Sequence, residues 1–469
     1  MASGGVTLPN SRRFPVNTRL FAAALALSVV AVRGAAPADV EAIALITGDM
    51  HSAYARTAQF VARVDRVRAE NPGVPLAILI DGDTFELGNA LARRSGGAIE
   101  FAMFAALAHR APTILNLGNH EPEFYDVAET VRRVEATGVR VVSNLVNRAD
   151  GQPFAPAAEK LNLGAREAVV IGVTTDNLAT FRVAVRPSLD PADPVVWAKN
   201  NFPALLPLAP VKIVLSHAGV RSDRALLPLV PDGTLFAGAH DHLRFVHREG
   251  RTVYVHSGSW NESVTLARLH RGADGAAETW EIEQQPLAAG DPADPELAAF
   301  IRNTRTKFAT TAADAAVIGR SASVLSTADA ARFVAHAVAR AADVDVAFVG
   351  NTTFGGGLPA GDVTREAFDA CVRFDGAIFT GEVDGVQLQT LLAAANQGPD
   401  TSWAERRGEF VFAAGPADIS PGRRYRIAVD NWVARNARKY LGTDAITLTE
   451  QPALLLKAIA AAALATRQP

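Results

Sequence analysis

Five apolar, strand-like runs in this chain each end in polar residues that can bind a hard divalent metal ion. The carboxyl ends of successive strands are where an open α/β sheet usually binds its ligands. Each block alone is weak evidence, because a strand-terminal Asp often caps the following helix. Five blocks that use five of the ten histidines together predict a metal site. In chain order they are Gly48-Asp49-Met50-His51, Asp81-Gly82-Asp83, Gly118-Asn119-His120-Glu121, Ser216-His217-Ala218-Gly219 and Gly238-Ala239-His240-Asp241-His242.

Short β runs alternate with helical stretches from about residue 41 to about residue 271. Helical spacing predicts helices over residues 57–70 and 98–110, and this regular β/α alternation predicts sheets flanked by helices. Residues 252–256 and 263–270 alternate apolar and polar positions, so we expect a pair of antiparallel strands that closes the sheet. A loop and then a helix over residues 296–309 would link this region to the C-terminal part of the chain.

A second, smaller α+β region begins near residue 317. Its pattern predicts a helix over residues 328–342 and a strand over 344–349, followed by a glycine-rich segment. Residues 368–382 are predicted as β structure. The alanine-rich segment 453–466 is predicted as a C-terminal helix.

The composition limits both the partners and the metal chemistry. A chain of 469 residues is long enough for two or three domains, and a net charge of −3 gives no field that favours a nucleic acid polymer or an anionic membrane. The single cysteine, Cys371, excludes an internal disulfide and a thiolate-rich zinc site. Metal ligands must therefore be His, Asp, Asn or water, a set that suits Mn, Zn, Fe or Co.

Residues 1–38 are predicted to be a signal peptide. Three arginines, among them the pair Arg12 and Arg13, precede an apolar run over residues 20–32, and Ala36-Pro37-Ala38 offers a cleavage site. The run is too short to span a bilayer, and no cysteine near the cleavage site offers a lipid anchor. We therefore expect a periplasmic or secreted protein without a stable membrane anchor. Its export route would resemble the twin-arginine route. The alternative is a disordered basic leader on a cytosolic enzyme.

The five blocks resemble those of the calcineurin-like metallophosphoesterases, and specifically those of the secreted 5′-nucleotidase / UDP-sugar hydrolase family. The family blocks are Asp-x-His, Gly-Asp, Gly-Asn-His-Glu, Ser-His-x-Gly and Gly-x-His-x-His. The resemblance implies a metallophosphoesterase β-sandwich flanked by helices, followed by a smaller α+β substrate-binding domain. The implied division is a signal peptide (1–38), a phosphoesterase domain (39–285), a linker with a helix (286–315) and a 5′-nucleotidase-type C-terminal domain (316–469).

This resemblance also implies a centre of two divalent metal ions. Asp83 would bridge the two ions, since each carboxylate oxygen can bind one cation. Asp49 and His51, at positions i and i+2, would point the same way on an extended segment and so share one ion. The implied ligands are Asp49, His51, Asp83, Asn119, His217, His240 and His242.

His120 and Glu123 are the implied catalytic residues. His120 follows a ligand without being one in the family, so it is the candidate to act on the leaving oxygen. The family places an Asp three residues further on as the partner of this histidine. Here Glu123 stands at that position, with one additional methylene group.

The C-terminal region departs further from the family pattern. The family's Asn-x-Gly-Gly-Ile-Arg segment, whose arginine binds phosphate, corresponds to residues 351–359, which contain no arginine. Residues 435–440 replace the segment that helps to form the nucleobase pocket. The remaining candidates for substrate binding are Asn351, Phe410, Trp432 and Arg435.

Three functions are compatible with these observations. The first is an exported phosphoesterase that hydrolyses nucleotides or other small phosphate esters by metal-activated water. The second is a thiosulfohydrolase-like enzyme of sulfur oxidation, which would explain the missing phosphate-binding arginine. The third is a non-catalytic binding protein that retains the metal site, against which the intact ligand set argues.

Overall fold

The computed structural model describes residues 40–271, 278–308, 311–416 and 418–466. The predicted signal peptide therefore lies outside the described residues. Strands of the first part are β1 (Val40–Gly48), β2 (Leu76–Asp81), β3 (Thr113–Asn116), β4 (Arg140–Val142), β5 (Val146–Asn147), β6 (Ala158–Leu163), β7 (Arg166–Thr174), β8 (Leu189–Asp190), β9 (Val211–His217), β10 (Leu235–Gly238), β11 (Arg244–Glu249), β12 (Thr252–Ser257), β13 (Ser263–His270) and β14 (Thr279–Pro286). Its helices are α1 (Tyr54–Glu70), α2 (Ala90–Ser95), α3 (Ala98–Arg110), α4 (Val127–Glu135), α5 (Pro194–Leu205), α6 (Val220–Leu226) and α7 (Pro295–Lys307).

Two six-stranded sheets form a sandwich, with strand orders β14-β13-β1-β2-β3-β4 and β11-β12-β10-β9-β7-β6. Alternate residues of each strand point to opposite faces. Ile46 of β1 and Ile213 of β9 therefore lie in the apolar layer between the sheets, whereas Leu45 packs in the outer layer with Val64 of α1. This arrangement confirms the predicted sandwich flanked by helices.

The expectation that β12 and β13 pair with each other is wrong. β12 lies between β10 and β11 in one sheet, whereas β13 lies between β1 and β14 in the other. The chain changes sheets at a tight turn, where Trp260 and Asn261 have positive φ angles of 58° and 52°. The Trp260 amide donates to the Asp49 carbonyl at 2.8 Å, which holds this turn against the end of β1.

The second part contains a five-stranded sheet of order β19-β16-β20-β18-β21 and a two-stranded pair of β15 with β17. Its strands are β15 (Val317–Ser321), β16 (Val346–Gly350), β17 (Gly361–Thr364), β18 (Ala377–Asp384), β19 (Val411–Ala414), β20 (Arg424–Val429) and β21 (Thr449–Leu455). Its helices are α8 (Ala312–Ala315), α9 (Thr327–Ala341), α10 (Arg365–Cys371), α11 (Gly385–Ala393), α12 (Asn431–Arg435), α13 (Ala437–Tyr440) and α14 (Leu456–Ala465).

Two predictions for the second part need correction. The segment 368–371, predicted as β structure, belongs to α10, because Thr364 caps that helix by accepting from the Ala367 amide. The C-terminal helix begins only at Leu456, because the preceding residues form the strand β21 beside β18. Elsewhere α7 and α9 lie close to their predicted bounds. Within the described ranges, no helix is both long and apolar enough to cross a membrane.

Candidate metal centre

The predicted ligands converge where β1, β2, β3, β9 and β10 end. Six of the seven form two groups of three, and within each group the candidate ligand atoms lie within 4.8 Å of one another. The first group is Asp49, His51 and His242, and the second is Asp83, His217 and His240. Asp83 Oδ2 lies 3.1 Å from His217 Nε2 and 3.9 Å from His51 Nε2, so this carboxylate stands between the groups.

The backbone at these ligands is left-handed, not extended. Positive φ angles in non-glycine residues are uncommon and concentrate at functional sites. The prediction that Asp49 and His51 lie on an extended segment is therefore wrong. Their side chains still converge, because the chain turns sharply just after β1 ends at Gly48. The ligand candidates with positive φ are Asp49 (49°), His51 (45°), Asp83 (53°), His240 (81°) and His242 (59°).

Two ligand loops touch through their glycines. Gly82 has a φ of 67°, and a Cβ at this position would lie 2.6 Å from the Gly118 nitrogen. A side chain here would therefore push apart the loops that follow β2 and β3.

Burial and neighbouring charges shift the pKa values of the ionisable groups in the cluster in different directions. Burial is the main cause that lowers the pKa of His51 and of His240 to about 3 each, which favours neutral imidazoles. Burial also raises the pKa of Asp49 to about 7. At Asp83 burial acts in the same direction, but nearby positive charge, first that of His217, holds the pKa well below its usual range.

The residues present fit a divalent metal ion. Neutral imidazole, carboxylate and amide oxygen are the donor types that a mixed nitrogen and oxygen site requires. Buried polar atoms normally have hydrogen-bond partners. Several ligand candidates have a buried polar atom without a hydrogen-bond partner among the described residues, namely Asn119 Oδ1, His240 Nδ1 and His242 Nδ1.

Further polar residues support the ligand loops. The Glu121 carboxylate accepts from the Asp83 amide at 2.8 Å and from the Gly118 amide at 2.7 Å. His217 Nδ1 lies 2.8 Å from the Asp81 carbonyl, which fixes the direction of Nε2. The Asp81 carboxylate accepts from Asn116 at 2.8 Å. Asp81 thus lies below the cluster as a support of the loop.

His120 and Glu123 form a pair beside the second group. His120 Nδ1 lies 2.6 Å from Glu123 Oε1. Burial lowers the pKa of His120, but the charges of Asp83 and Glu123 outweigh it and raise the pKa to about 9. The backbone amide of His120 donates to Asp83 Oδ1 at 2.7 Å. The imidazole is therefore held close to the cluster by two separate contacts.

A cavity of about 810 Å³ extends from the cluster to the second part of the chain. Of the four residues predicted to bind substrate, Trp432 lines this cavity. Phe410 lies in the core instead, and Asn351 is buried, with its amide bonded to the Gly408 carbonyl. Arg435 does not line the cavity and donates to Asn431 at 3.0 Å.

Three residues near the cluster were not expected there from the sequence. Glu86 Oε2 lies 3.5 Å from His51 Nδ1 and forms an ion pair with Arg373. The Trp260 ring stacks on His51 with a centroid separation of 4.5 Å. The position of Glu86, three residues after the predicted ligand Asp83, could have indicated that it lies near the cluster. No local sequence pattern could have placed Arg373 there, because 287 residues separate it from Glu86.

Sequence families match both parts of the chain. Residues 44–244 match the family described as calcineurin-like phosphoesterase, and residues 307–442 match the 5′-nucleotidase C-terminal domain. The fold and the site thus define a metallophosphoesterase, a class of hydrolases that act on phosphate esters and use divalent metal ions. With both domains in this order, the chain belongs to the 5′-nucleotidase family. No curated protein sequence matches it.

Solved structures share the fold at low sequence identity. A 5′-nucleotidase precursor from Thermus thermophilus is 17% identical with a TM-score of 0.60, covering 90% of this chain and 96% of that one. The sulfate thiohydrolase SoxB of Thermus thermophilus is 16% identical with a TM-score of 0.61, and the match covers 92% of this chain and 94% of that one. A 5′-nucleotidase from Candida albicans is 13% identical with a TM-score of 0.56, and the match covers 91% of this chain and 98% of that one.

Proposed function

We propose that this protein is a dinuclear-metal phosphoesterase that hydrolyses nucleotides or related small phosphate esters. One observation carries this proposal: the two ligand groups and the His120–Glu123 pair lie at one end of a single cavity. Asp83, Asn119, His120 and His240 all line that cavity, together with residues of the C-terminal domain. A substrate in the cavity would therefore reach the ligands and the imidazole at the same time.

The ligand groups divide two ions between them in this proposal. Asp49, His51 and His242 would hold the first ion, His217, His240 and Asn119 would hold the second, and Asp83, which lies between the two groups, would contribute to both. When bound, such ions supply charge stabilisation to phosphoryl oxygens and lower the pKa of an attacking water. Mn, Zn, Fe and Co all suit this donor set.

His120 is the proposed catalytic residue for the leaving group. Its Nδ1 faces Glu123, so Nε2 is the ring nitrogen left for a substrate. A proton held at Nε2 can be donated to the leaving oxygen, or its charge can stabilise that oxygen. Glu123 orients the ring and stabilises its protonated form.

The cavity walls indicate what else a substrate contains. Phe374, 48% exposed, and Trp432 offer apolar surface for a planar or apolar group. Arg182 also lines the cavity, and its Nη1 donates to the Glu123 carbonyl at 2.7 Å. Among the described residues no carboxylate forms an ion pair with Arg182. A small ester with a second anionic group therefore fits this cavity.

A metal-dependent hydrolysis screen tests the proposal. Purified full-length protein is stripped of metal, reloaded with Mn²⁺ or Zn²⁺, and assayed on nucleotides, UDP-sugars, phenyl phosphate and a thiosulfonate conjugate of a cysteine peptide. We expect metal-dependent release of phosphate from at least one ester. Turnover of the thiosulfonate alone would instead support the thiosulfohydrolase function. Metal binding without hydrolysis of any substrate would support a non-catalytic protein.

Export of the protein is a separate proposal. It rests on the arginines and the apolar run within residues 1–38 of the sequence. Expression of the full chain in a bacterial host, followed by mass spectrometry of the periplasmic fraction, tests it. We expect a mature N-terminus at Asp39, and an uncleaved cytosolic protein would contradict export.

A further inference from the structure

Glu86 connects a predicted metal ligand to the C-terminal domain. Its Oε2 lies 3.5 Å from His51 Nδ1, and the same carboxylate forms an ion pair with Nη2 of Arg373. The side chains of Glu86 and Arg373 are only 10% and 5% exposed. Charges buried to this extent are costly unless they are paired. The two residues therefore depend on each other for their place beside His51.

The two ring nitrogens of His51 face opposite environments. Nε2 lies 2.9 Å from His242 Nε2 and 3.9 Å from Asp83 Oδ2, so it faces the ligand cluster. Nδ1 faces Glu86. A histidine that binds a metal by one nitrogen commonly donates its other N–H to a carboxylate, which fixes the tautomer and the ring orientation. Glu86 occupies the position of that carboxylate.

Arg373 and Trp260 complete the surroundings of His51. The Trp260 ring stacks on His51 with an interplanar angle of 26°. The Arg373 Cζ lies 5.1 Å from the centroid of the Trp260 ring. The Arg373 amide donates to the Thr353 carbonyl at 3.0 Å, so its backbone is fixed within the C-terminal domain. Arg373 thus reaches from one domain to two residues that contact His51.

We propose that Glu86 is a positioning residue of the metal centre, held from the C-terminal domain by Arg373. The affinity of the group formed by Asp49, His51 and His242 for its ion then depends on a contact between the two domains. This inference rests on the proposed function only in requiring that metal ions bind. It adds to that function a role for the C-terminal domain in the metal site.

Calorimetric titration of metal-stripped, full-length protein with Mn²⁺, without any substrate, tests the inference. We expect Glu86→Gln to bind one of two ions roughly 10–100-fold more weakly, as for the loss of a residue that orients a ligand. Arg373→Met should weaken the same ion less. The double variant should bind no more weakly than Glu86→Gln alone, because Arg373 acts through Glu86. Arg424→Met is the control, since this exposed arginine pairs with Glu382.

Three results would overturn the inference. They are unchanged affinity in both single variants, losses that multiply in the double variant, and complete loss of one ion from Glu86→Gln at saturating Mn²⁺, which would make Glu86 a ligand. If either variant unfolds, Glu86→Asp and Arg373→Lys replace it, and we expect intermediate affinities. Normal binding of both ions by a protein that hydrolyses no ester would refute the proposed function alone.

Discussion

The Nε2 atoms of His51 and His242 lie 2.9 Å apart, although 191 residues separate these histidines in the sequence. Burial lowers the pKa of both imidazoles, so two neutral rings face each other. Two neutral rings can share at most one hydrogen between these atoms. A divalent cation that accepts a lone pair from each ring would use both nitrogen atoms, as the candidate group of Asp49, His51 and His242 requires.

Replacement of Asp83, the proposed bridging carboxylate, is the first prediction. Asp83→Ala should lose both ions, because Asp83 stands between the two groups and neither keeps enough ligands without it. Elemental analysis by mass spectrometry after desalting measures the metal content. Asp362→Ala is the matched control, since Asp362 is an exposed residue that pairs with Arg320. Two ions per chain in Asp83→Ala would show that the bridging role is wrong.

Removal of His120, the proposed catalytic residue for the leaving group, is the second prediction. His120→Ala should keep its metal ions but lose roughly 10²–10⁴-fold in turnover, the range expected for a general acid. The loss should be smaller for aryl phosphates, whose leaving groups need less protonation. Steady-state kinetics on esters with leaving groups of different pKa measure this difference. Equal losses on all esters would contradict proton donation.

Metal removal should also lower stability. A ligand that binds only the folded state stabilises it by about 2.7 kcal/mol when its free concentration is about 100 times its Kd. We therefore expect a chelator to lower the melting temperature of the native protein. Asp83→Ala should show no such shift, because it holds no ions to remove. Identical melting curves with and without chelator would show that the cluster binds no metal tightly.

A buried network beneath the site gives a stability prediction. The Tyr254 hydroxyl donates to Asp223 Oδ2 at 2.7 Å and lies 2.6 Å from His256 Nε2. Tyr254→Phe leaves polar atoms of both partners unsatisfied, which should cost about 1–3 kcal/mol of unfolding free energy. Urea denaturation measures this cost. Tyr125→Phe is the control, because that half-buried hydroxyl bonds only the Gly96 carbonyl among the described residues. Equal stability of both variants would contradict the prediction.

Substrate preference is the last prediction. Residues 351–359 contain no arginine, and a charge-assisted hydrogen bond is worth roughly 1.5–3 kcal/mol. We expect weak binding of 5′-AMP, with a KM well above the micromolar range, and a broad or different preferred substrate. Steady-state kinetics on AMP, UDP-sugars and phenyl phosphate decide this. Tight, selective turnover of AMP would show that another residue, such as Arg182, binds its phosphate.

The sequence predicted the convergence of the ligand blocks because neighbouring parallel strands end at one edge of a sheet. Asp49 and Asp83 could therefore be placed together, because they follow β1 and β2, which are neighbouring parallel strands of one sheet. That argument does not place His217 beside them, because His217 ends β9 of the other sheet. The alternation of strands and helices likewise predicted the layers. It did not assign strands to sheets, because β12 and β13 show the same alternation whichever sheet they join.

Contacts that depend on packing between distant segments could not be predicted. Arg373 reaches Glu86 only because α10 ends beside the cluster, which no local pattern in residues 365–371 encodes. Phe410 illustrates the opposite error. An aromatic residue near the expected pocket can equally be a core residue, and its sequence neighbours do not distinguish the two.

Because the backbone of the predicted ligands is left-handed, the five sequence blocks alone are not sufficient to rebuild the site in another protein. The left-handed conformation costs an L-residue roughly 1–2 kcal/mol of free energy. A peptide that carries residues 48–52 would therefore not adopt the turn by itself. Here the turn is held by the Trp260 amide and by backbone bonds to the loop after β2. A designer who copies the five blocks onto another scaffold would therefore transfer the side chains without their directions, unless these neighbouring loops are copied as well.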